Sequence, residues 1–221
     1  MAFTAQDVKA LREKTGVGMM ECKKALVEAD GDMDKAVDFL RERGLAAAAK
    51  KATRIAAEGV VLPYYDAEAK KGVVVEVNSE TDFVAKNEKF MSFVEGVAKT
   101  ILATNPADVE ALKEEKFDGT DRTVTETLND LVLSIGENMK VRRFERMDGI
   151  VSTYIHGGGS VGVMVGFDVA DESKAATAEF DAMGKNVAMQ IAALNPRFWD
   201  KSQVTQDVLD EEKKIMMVQM E

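Results

Sequence analysis

The stretch from residue 156 to 162, His-Gly-Gly-Gly-Ser-Val-Gly, contains the residue types of a nucleotide-binding loop. Gly157, Gly159 and Gly162 fit the dinucleotide-binding spacing GxGxxG, a motif that needs a following helix whose N-terminal amides bind the phosphates. In residues 161–169 apolar side chains instead recur at every second position, which predicts a strand. The stretch is therefore typical of a β-hairpin turn rather than of a dinucleotide site.

The same turn also spells the motifs of a serine hydrolase. Residues 158–162 match the nucleophile elbow GxSxG, and residues 156–159 match an oxyanion-hole motif. In hydrolases these motifs lie in separate loops and the triad histidine follows the serine, whereas no histidine follows Ser160 in this sequence. A flexible hairpin is favoured, and a hydrolase built on Ser160 and His156 stays an alternative that Ser160→Ala would test.

An acid and a large aromatic residue lie side by side in the stretch from Asn78 to Ala85. This stretch follows an apolar strand pattern at residues 73–77 and precedes a long amphipathic helix pattern, so Asp82 and Phe83 lie where the chain changes direction. Phe83 either folds back as a cap on the core or points outward. Spacing by itself favours the core cap, and the residues leave both orientations open.

Composition favours a protein partner over nucleic acid. The chain has 29 Lys and Arg against 39 Asp and Glu, a net charge of −10, and so repels phosphate backbones. Basic clusters at residues 50–54 and 140–146 lack aromatic residues arranged for base stacking. The single cysteine, Cys22, excludes an intrachain disulfide and is expected in the core, and with one histidine there is no Cys/His cluster for zinc. No cofactor is expected.

Signals for membranes, secretion and GTP binding are missing from the sequence. No apolar run reaches membrane-spanning length, and the N-terminus lacks the basic start and apolar centre of a signal peptide. These features predict a cytoplasmic protein. The phosphate-binding motif GxxxxGK[ST] is also missing, so the chain itself is not expected to bind GTP.

Residues 1–52 predict a bundle of three short helices. Thr4 is a favourable N-cap for the first, with Asp7 three positions later, and Gly16 ends that helix. Apolar residues recur at helical spacing in two further segments, and Gly44 is predicted to stop the last of them.

Residues 53–221 predict an α+β core made of two copies of one strand-strand-helix unit. A shift of 90 positions superimposes the strand, turn, loop and helix patterns of the two copies, with Phe90 on Phe180. The copies differ at the central stretch, where Thr-Asp-Phe at residues 81–83 aligns with Asp-Glu-Ser at residues 171–173. Function is expected where the two copies differ.

The predicted domains are residues 1–52, 53–140 and 141–221. The first is the three-helix bundle, the second is the first core unit, and the third combines the second core unit with the start of a C-terminal helical hairpin. The last helix pattern, over residues 204–221, has no Gly, Asn or Pro stop, so the natural protein is expected to be longer. Homo-oligomer formation is left open by the sequence.

Three stretches resemble the elongation factor Ts family of translation factors. Residues 76–84, Glu-Val-Asn-Ser-Glu-Thr-Asp-Phe-Val, are similar to the signature of that family. Residues 11–26 are similar to its N-terminal domain, which is of the ubiquitin-associated type, and residues 154–157 are similar to its second hairpin. The resemblance covers the whole chain and implies the same α+β fold.

The resemblance implies a guanine nucleotide exchange factor, without covalent chemistry of its own. Members of the family bind elongation factor Tu carrying GDP, enter beside the bound magnesium ion and so promote GDP release. The residues that match the magnesium-displacing element are Thr81, Asp82, Phe83 and Val84. With this resemblance, the outward orientation of Phe83 becomes the favoured one.

Further contacts to elongation factor Tu are implied for the bundle and for the second hairpin. The matching positions are Arg12, Met19 and Met20 in the bundle and His156 and Gly157 in the hairpin. Because the two methionines are adjacent, they cannot lie on one helical face, and at least one is expected to be exposed. A protein-binding adaptor with no effect on nucleotide release is the alternative function.

Overall fold

The structure is a computed structural model that describes residues 3–220, so the outermost positions of the predicted domains, residues 1–2 and 221, lie outside it. The helices are α1 (Ala5–Thr15), α2 (Met19–Glu28), α3 (Met33–Lys51), α4 (Asp82–Ala85), α5 (Glu88–Thr104), α6 (Val109–Glu114), α7 (Val124–Ile135), α8 (Glu172–Ala175), α9 (Ala178–Leu194) and α10 (Gln206–Gln219). The strands are β1 (Glu58–Asp66), β2 (Lys71–Ser79), β3 (Met139–Asp148), β4 (Ile150–His156) and β5 (Val161–Phe167). The predicted α+β class is confirmed.

The first three helices form a bundle with a core of its own. As predicted, Thr4 caps α1, here through a capping box with Asp7, and Gly16 ends the helix; Gly16 adopts the left-handed conformation. Cys22 is fully buried in this core, which confirms its predicted role. The other buried apolar residues of the bundle are Val8, Leu11, Val17, Ala25, Leu26, Ala29, Ala36 and Leu40.

The third helix is longer than the sequence predicts. The predicted stop at Gly44 is wrong, because α3 continues to Lys51. Gly44 is buried against α7, where an added Cβ atom would lie 3.4 Å from the carbonyl oxygen of Asn129. An ion pair between Arg41 and Glu126 crosses the same contact. This glycine therefore permits close packing of the bundle on the rest of the protein, and its lack of a side chain does not end the helix.

The main core lies between a three-stranded antiparallel sheet, in the order β1-β2-β3, and the helices α5 and α7. The sheet presents the alternating residues Val73, Val75 and Val77 of β2 to this core, all fully buried. The long helix α5 contributes apolar residues at helical spacing: Phe90, Val94, Val97 and Ile101. β3 pairs with β2 along its whole length and spans residue 140, and the division of the chain into domains stays a prediction.

The two predicted copies recur with constant spacing. Helices α4 and α8 begin at residues 82 and 172, and α5 and α9 begin at residues 88 and 178, which is a shift of 90 in both cases. Asn105 and Asn195 end the two long helices in the left-handed conformation. In the second copy, however, β4 and β5 form a two-stranded sheet, and α9 buries Gly184 and Ala188.

The β4–β5 hairpin packs against the first sheet through close backbone contacts. The backbone N–H of Val61 donates to the carbonyl oxygen of Gly159 at 2.7 Å. At Gly162, an added Cβ atom would lie 3.0 Å from the Cδ atom of Pro63, so a larger residue would push the hairpin away from β1. These contacts fix the tip of the second copy on the first.

The C-terminal helix α10 lies at the surface. An ion pair between Arg197 and Glu212, 3.8 Å long, joins it to the segment that follows α9. Within residues 3–220, no helix has the length and apolar character needed to cross a bilayer.

Candidate partner-binding surface

The central turn, residues 79–86, presents Phe83 to solvent. Phe83 is 79% exposed, whereas the next residue, Val84, is 5% exposed and packs into the main core. The single helical turn of α4 produces this division, because successive side chains of a helix point about 100° apart. Of the two orientations that the sequence leaves open, the structure has the outward one.

Asp82 lies beside Phe83 with its carboxylate in solvent. Its Oδ2 atom accepts a hydrogen bond from Nζ of Lys86 at 3.1 Å, in an ion pair whose two side chains are more than half exposed. Such a pair adds little to stability. The carboxylate can therefore leave Lys86 for another cation at small cost.

The base of the central turn is held by the segment between α7 and β3. Thr81 donates its backbone N–H and its hydroxyl to the two carboxylate oxygens of Glu137, at 3.0 and 2.7 Å. Glu80 accepts the backbone N–H of Asn138 at 2.6 Å. These partners are 56 and 58 positions apart, so the local periodicity of the sequence carries no signal for the contacts of Glu137, Glu80 and Asn138, and they were not predicted.

A largely buried glutamate precedes the turn and is held by two arginines. A β-bulge makes Arg142 an extra residue of β3, so Arg142 and Arg143 both reach the carboxylate of Glu76, at 3.0 and 2.7 Å. Burial acts to raise the pKa of Glu76, but hydrogen bonds from Arg143 and Asn78 and the charges of both arginines hold that pKa below its usual value. Two arginines of the basic cluster at residues 140–146 thus neutralise the charge of a largely buried glutamate.

The candidate residues of the bundle lie at its surface. Met19 and Met20 begin α2 and are 51% and 65% exposed, which confirms that at least one methionine is exposed. Arg12 is exposed in the last turn of α1. The three side chains are available to a partner.

The loop before these methionines is fastened to the core. The carbonyl oxygen of Gly16 accepts hydrogen bonds from Nζ of Lys89 at 2.8 Å and from Oγ of Ser134 at 3.0 Å. This junction fixes the start of α2 relative to α5, the helix that follows the central turn.

The hairpin tip carries the remaining candidates, His156 and Gly157, both exposed. Nδ1 of His156 lies 3.2 Å from the hydroxyl of Tyr154, while Oγ of Ser160 donates to the carbonyl oxygen of His156 at 3.2 Å. The serine hydroxyl is thus bonded to its own turn and not to an imidazole. Among residues 3–220, no group of three or more His, Cys, Asp or Glu side chains is placed to hold a metal ion. The tip is therefore exposed, and Ser160 and His156 are not arranged for hydrolysis.

Comparison with known proteins identifies the family. A family model described as Elongation factor TS matches residues 80–221, which include the central turn and the hairpin tip. The chain is 53% identical over 220 residues to elongation factor Ts of Clostridium perfringens, 50% identical over 220 residues to that of Clostridium botulinum, and 51% identical over 219 residues to that of Syntrophotalea carbinolica. Each alignment covers 98% of this chain and 71% of the relative.

The chain belongs to the elongation factor Ts family. Its role is therefore in translation elongation, a part of protein biosynthesis. The resemblance of the three short stretches is confirmed over nearly the whole chain, and the bundle, which precedes the matched residues 80–221, is covered by the alignments to the relatives. Within this elongation factor Ts fold, the exposed aromatic of the central turn belongs to the first copy, since the position that aligns with Phe83 in the second copy is Ser173.

Proposed function

We propose that this chain is a guanine nucleotide exchange factor that binds elongation factor Tu carrying GDP and accelerates the release of GDP. The observation that carries the proposal is Phe83, which stands 79% exposed on a turn anchored in the core by Val84. A large aromatic held rigidly at the surface is typical of the residues that dominate protein interfaces. No covalent step is part of this action.

In the proposed mechanism the two exposed residues of the central turn have different roles. Phe83 enters between helices of the GTPase as a wedge. Asp82, whose carboxylate is held loosely by Lys86, disturbs the magnesium ion and the phosphates of the partner. Displacing that ion removes the main positive charge that neutralises the phosphates, so GDP leaves faster. Thr81 and Val84 hold the turn in the shape that this insertion needs.

The wedge needs the rest of the surface. Burying one Phe side chain contributes roughly 1.5–3 kcal/mol, whereas reversing a strongly biased two-state equilibrium takes about 5.5 kcal/mol. The remaining free energy is assigned to the bundle, through Arg12, Met19 and Met20, and to the hairpin tip, through His156 and Gly157. Because coupling between two ligands is reciprocal, GDP must weaken the binding of this chain by the factor by which this chain weakens GDP. The proposed site of action is the cytoplasm, with the partner GTPase.

The test is stopped-flow release of a fluorescent GDP analogue from elongation factor Tu at fixed magnesium. We expect the wild-type chain to accelerate release and Phe83→Ala to lose most of that acceleration. Trp199→Ala is the matched control, because Trp199 is also an exposed aromatic, at 80%, but lies outside the proposed surface. Its release rate should equal that of the wild type.

An adaptor without exchange activity is the competing function. It is supported if the folded wild-type chain binds elongation factor Tu but leaves the GDP release rate at its spontaneous value. Equal release by the wild type and by Phe83→Ala would also contradict the proposed wedge.

A further inference from the structure

We infer that Glu137 is a positioning residue for Phe83: it holds the central turn in its insertion-ready shape before the partner is bound. This inference rests on the proposed exchange function. Glu137 lies between α7 and β3, outside the exposed pair Asp82 and Phe83, and acts on them through Thr81.

The contact between Glu137 and Thr81 uses both carboxylate oxygens of Glu137 and both donors of Thr81. One carboxylate oxygen accepts the backbone N–H of Thr81 at 3.0 Å, and the other accepts the hydroxyl at 2.7 Å. Hydrogen bonds to an ionised acceptor are shorter and stronger than neutral ones. A single side chain thus fixes both the backbone and the side chain of the N-cap residue of α4.

One bond to the turn runs in the opposite direction, from Asn138 to Glu80, and a second bond from Asn138 reaches Arg54 outside the turn. Asn138 donates its backbone N–H to Oε1 of Glu80 at 2.6 Å and its side-chain amide to the carbonyl oxygen of Arg54 at 2.8 Å. The turn segment therefore donates to the other segment through Thr81, and the other segment donates to the turn through Asn138. This arrangement resists both sliding and rotation of the turn.

The central turn depends on this external contact because, within residues 3–220, its N-cap residue makes no capping hydrogen bond to α4. Four residues of helix are far below the length at which a helix is stable alone. Thr81 occupies the N-cap position, yet among the described residues its hydroxyl makes no capping bond to α4 and is engaged with Glu137 instead. In the second copy, the side chain of the N-cap residue Asp171 accepts from the backbone N–H of Ser173, so that turn is capped by a residue of the turn itself.

The two hydrogen bonds between Glu137 and Thr81 form a brace for the turn. Loss of this brace adds a conformational-entropy cost to the step in which Phe83 inserts. A turn that samples several conformations binds in one of them, and the fraction of competent molecules falls accordingly. A hydrogen bond to a charged group is strong enough for its removal to lower the maximal release rate roughly tenfold. The effect should appear at saturating concentrations of the chain, because the bundle and hairpin surfaces that bind the partner are untouched.

The experiment measures GDP release at saturating chain for Glu137→Ala, Glu137→Gln and Thr81→Val. We expect a roughly tenfold loss for Glu137→Ala and a smaller loss for Glu137→Gln and Thr81→Val. Thr81→Ser, which keeps the hydroxyl, should lose less than Thr81→Val. Glu95→Ala is the control, since Glu95 is an exposed acid on the neighbouring helix α5. Circular dichroism establishes that each variant is folded.

A double-mutant cycle with Phe83→Ala separates positioning from a general loss of stability. If Glu137 acts through Phe83, adding Glu137→Ala to Phe83→Ala lowers the rate no further. Additive losses, or a wild-type rate for Glu137→Ala, would overturn the inference.

Amide hydrogen exchange of the free chain tests the brace without the partner. Exchange at residues 81–86 should speed up in Glu137→Ala while the amides of α5 stay protected, and unchanged exchange would overturn the brace whatever the release rates are. A wild-type release rate for Phe83→Ala would instead defeat the proposed function, so the two failures are distinguishable.

Discussion

The two copies of the α+β unit share their spacing but differ in how completely each is covered. Helix α5 of the first copy buries nine of its 17 residues, whereas α9 of the second copy, also 17 residues long, buries two. The outward side of α9 exposes Met183, Val187 and Met189 by about two-fifths each. Equal helix lengths therefore do not imply equal cores.

The difference originates in elements that lie outside the repeat. β3 widens the first sheet to three strands, and α7 covers its core beside α5. The second copy has the β4–β5 hairpin, which leans on the first sheet through Gly159 and Gly162. The segment between α7 and β3, which also lies outside the repeat, supplies Glu137. The elements that complete the core of the first copy thus also hold the turn that distinguishes it.

The largest expected effect compares the phenylalanines that the repeat superimposes. Phe90 is fully buried in the main core, whereas Phe180 is half-buried and packs edge-on against Phe167 with ring centroids 5.3 Å apart. Phe90→Ala should lower the free energy of unfolding by about 3–5 kcal/mol through lost burial and a cavity. Phe180→Ala should cost roughly half as much.

Urea denaturation followed by circular dichroism measures both free energies. Phe90→Leu, which leaves a smaller cavity, serves as the folded reference if Phe90→Ala does not fold. Equal losses for the two alanine variants would contradict the contrast between a closed first copy and an open second copy.

A second prediction concerns how stability depends on pH. It tests a feature of the first copy alone, because Glu76 aligns with Gly166 in the second copy. The pKa of Glu76 is lowered in the folded state. Its stabilisation is therefore complete above the unfolded value of about 4.3 and is lost as pH falls through the lower folded pKa. Allowing for solvent screening at the exposed arginines, Glu76→Gln should cost about 1–2 kcal/mol at neutral pH.

Unfolding free energies of the wild type and Glu76→Gln, measured from pH 7 downward, test this sign. The difference between the two proteins should be constant at neutral pH and shrink in acid. A difference that grows as the pH falls would mean that the arginines do not favour the charged form of Glu76.

Local patterns predicted much of this fold, and contacts between distant segments were beyond them. The N-cap at Thr4 and the helix end at Gly16 depend on neighbouring residues, and so could be predicted. The continuation of α3 past Gly44 depends on α7, and the bulge that aims Arg142 at Glu76 depends on strand pairing. Gly16 and Gly44 have the same local propensity, so the packing partner decides whether a glycine ends a helix or allows two helices to pack closely.

The candidate site likewise contains residues that could be predicted from local sequence and residues that could not. The exposed pair Asp82 and Phe83 was found from the difference between the two copies and from the family resemblance. Glu137 was missed, because its contact to Thr81 joins segments 56 residues apart and neither segment has a pattern that points to the other.

The smallest expected effect lies in the turn of the second copy. Asp171 accepts the backbone N–H of Ser173 at 3.1 Å and its hydroxyl at 2.6 Å, and every residue of α8 is exposed or half-buried. Asp171→Ala should lower the free energy of unfolding by roughly 0.5–1 kcal/mol, the low end of the cost of losing an N-cap, because α8 is short and exposed. It should leave the GDP release rate unchanged, because the turn that it loosens carries Ser173 where the first copy carries Phe83. If Asp171→Ala slowed release as much as Thr81→Val, the second turn would take part in exchange, and the assignment of that activity to the first copy would have to be given up.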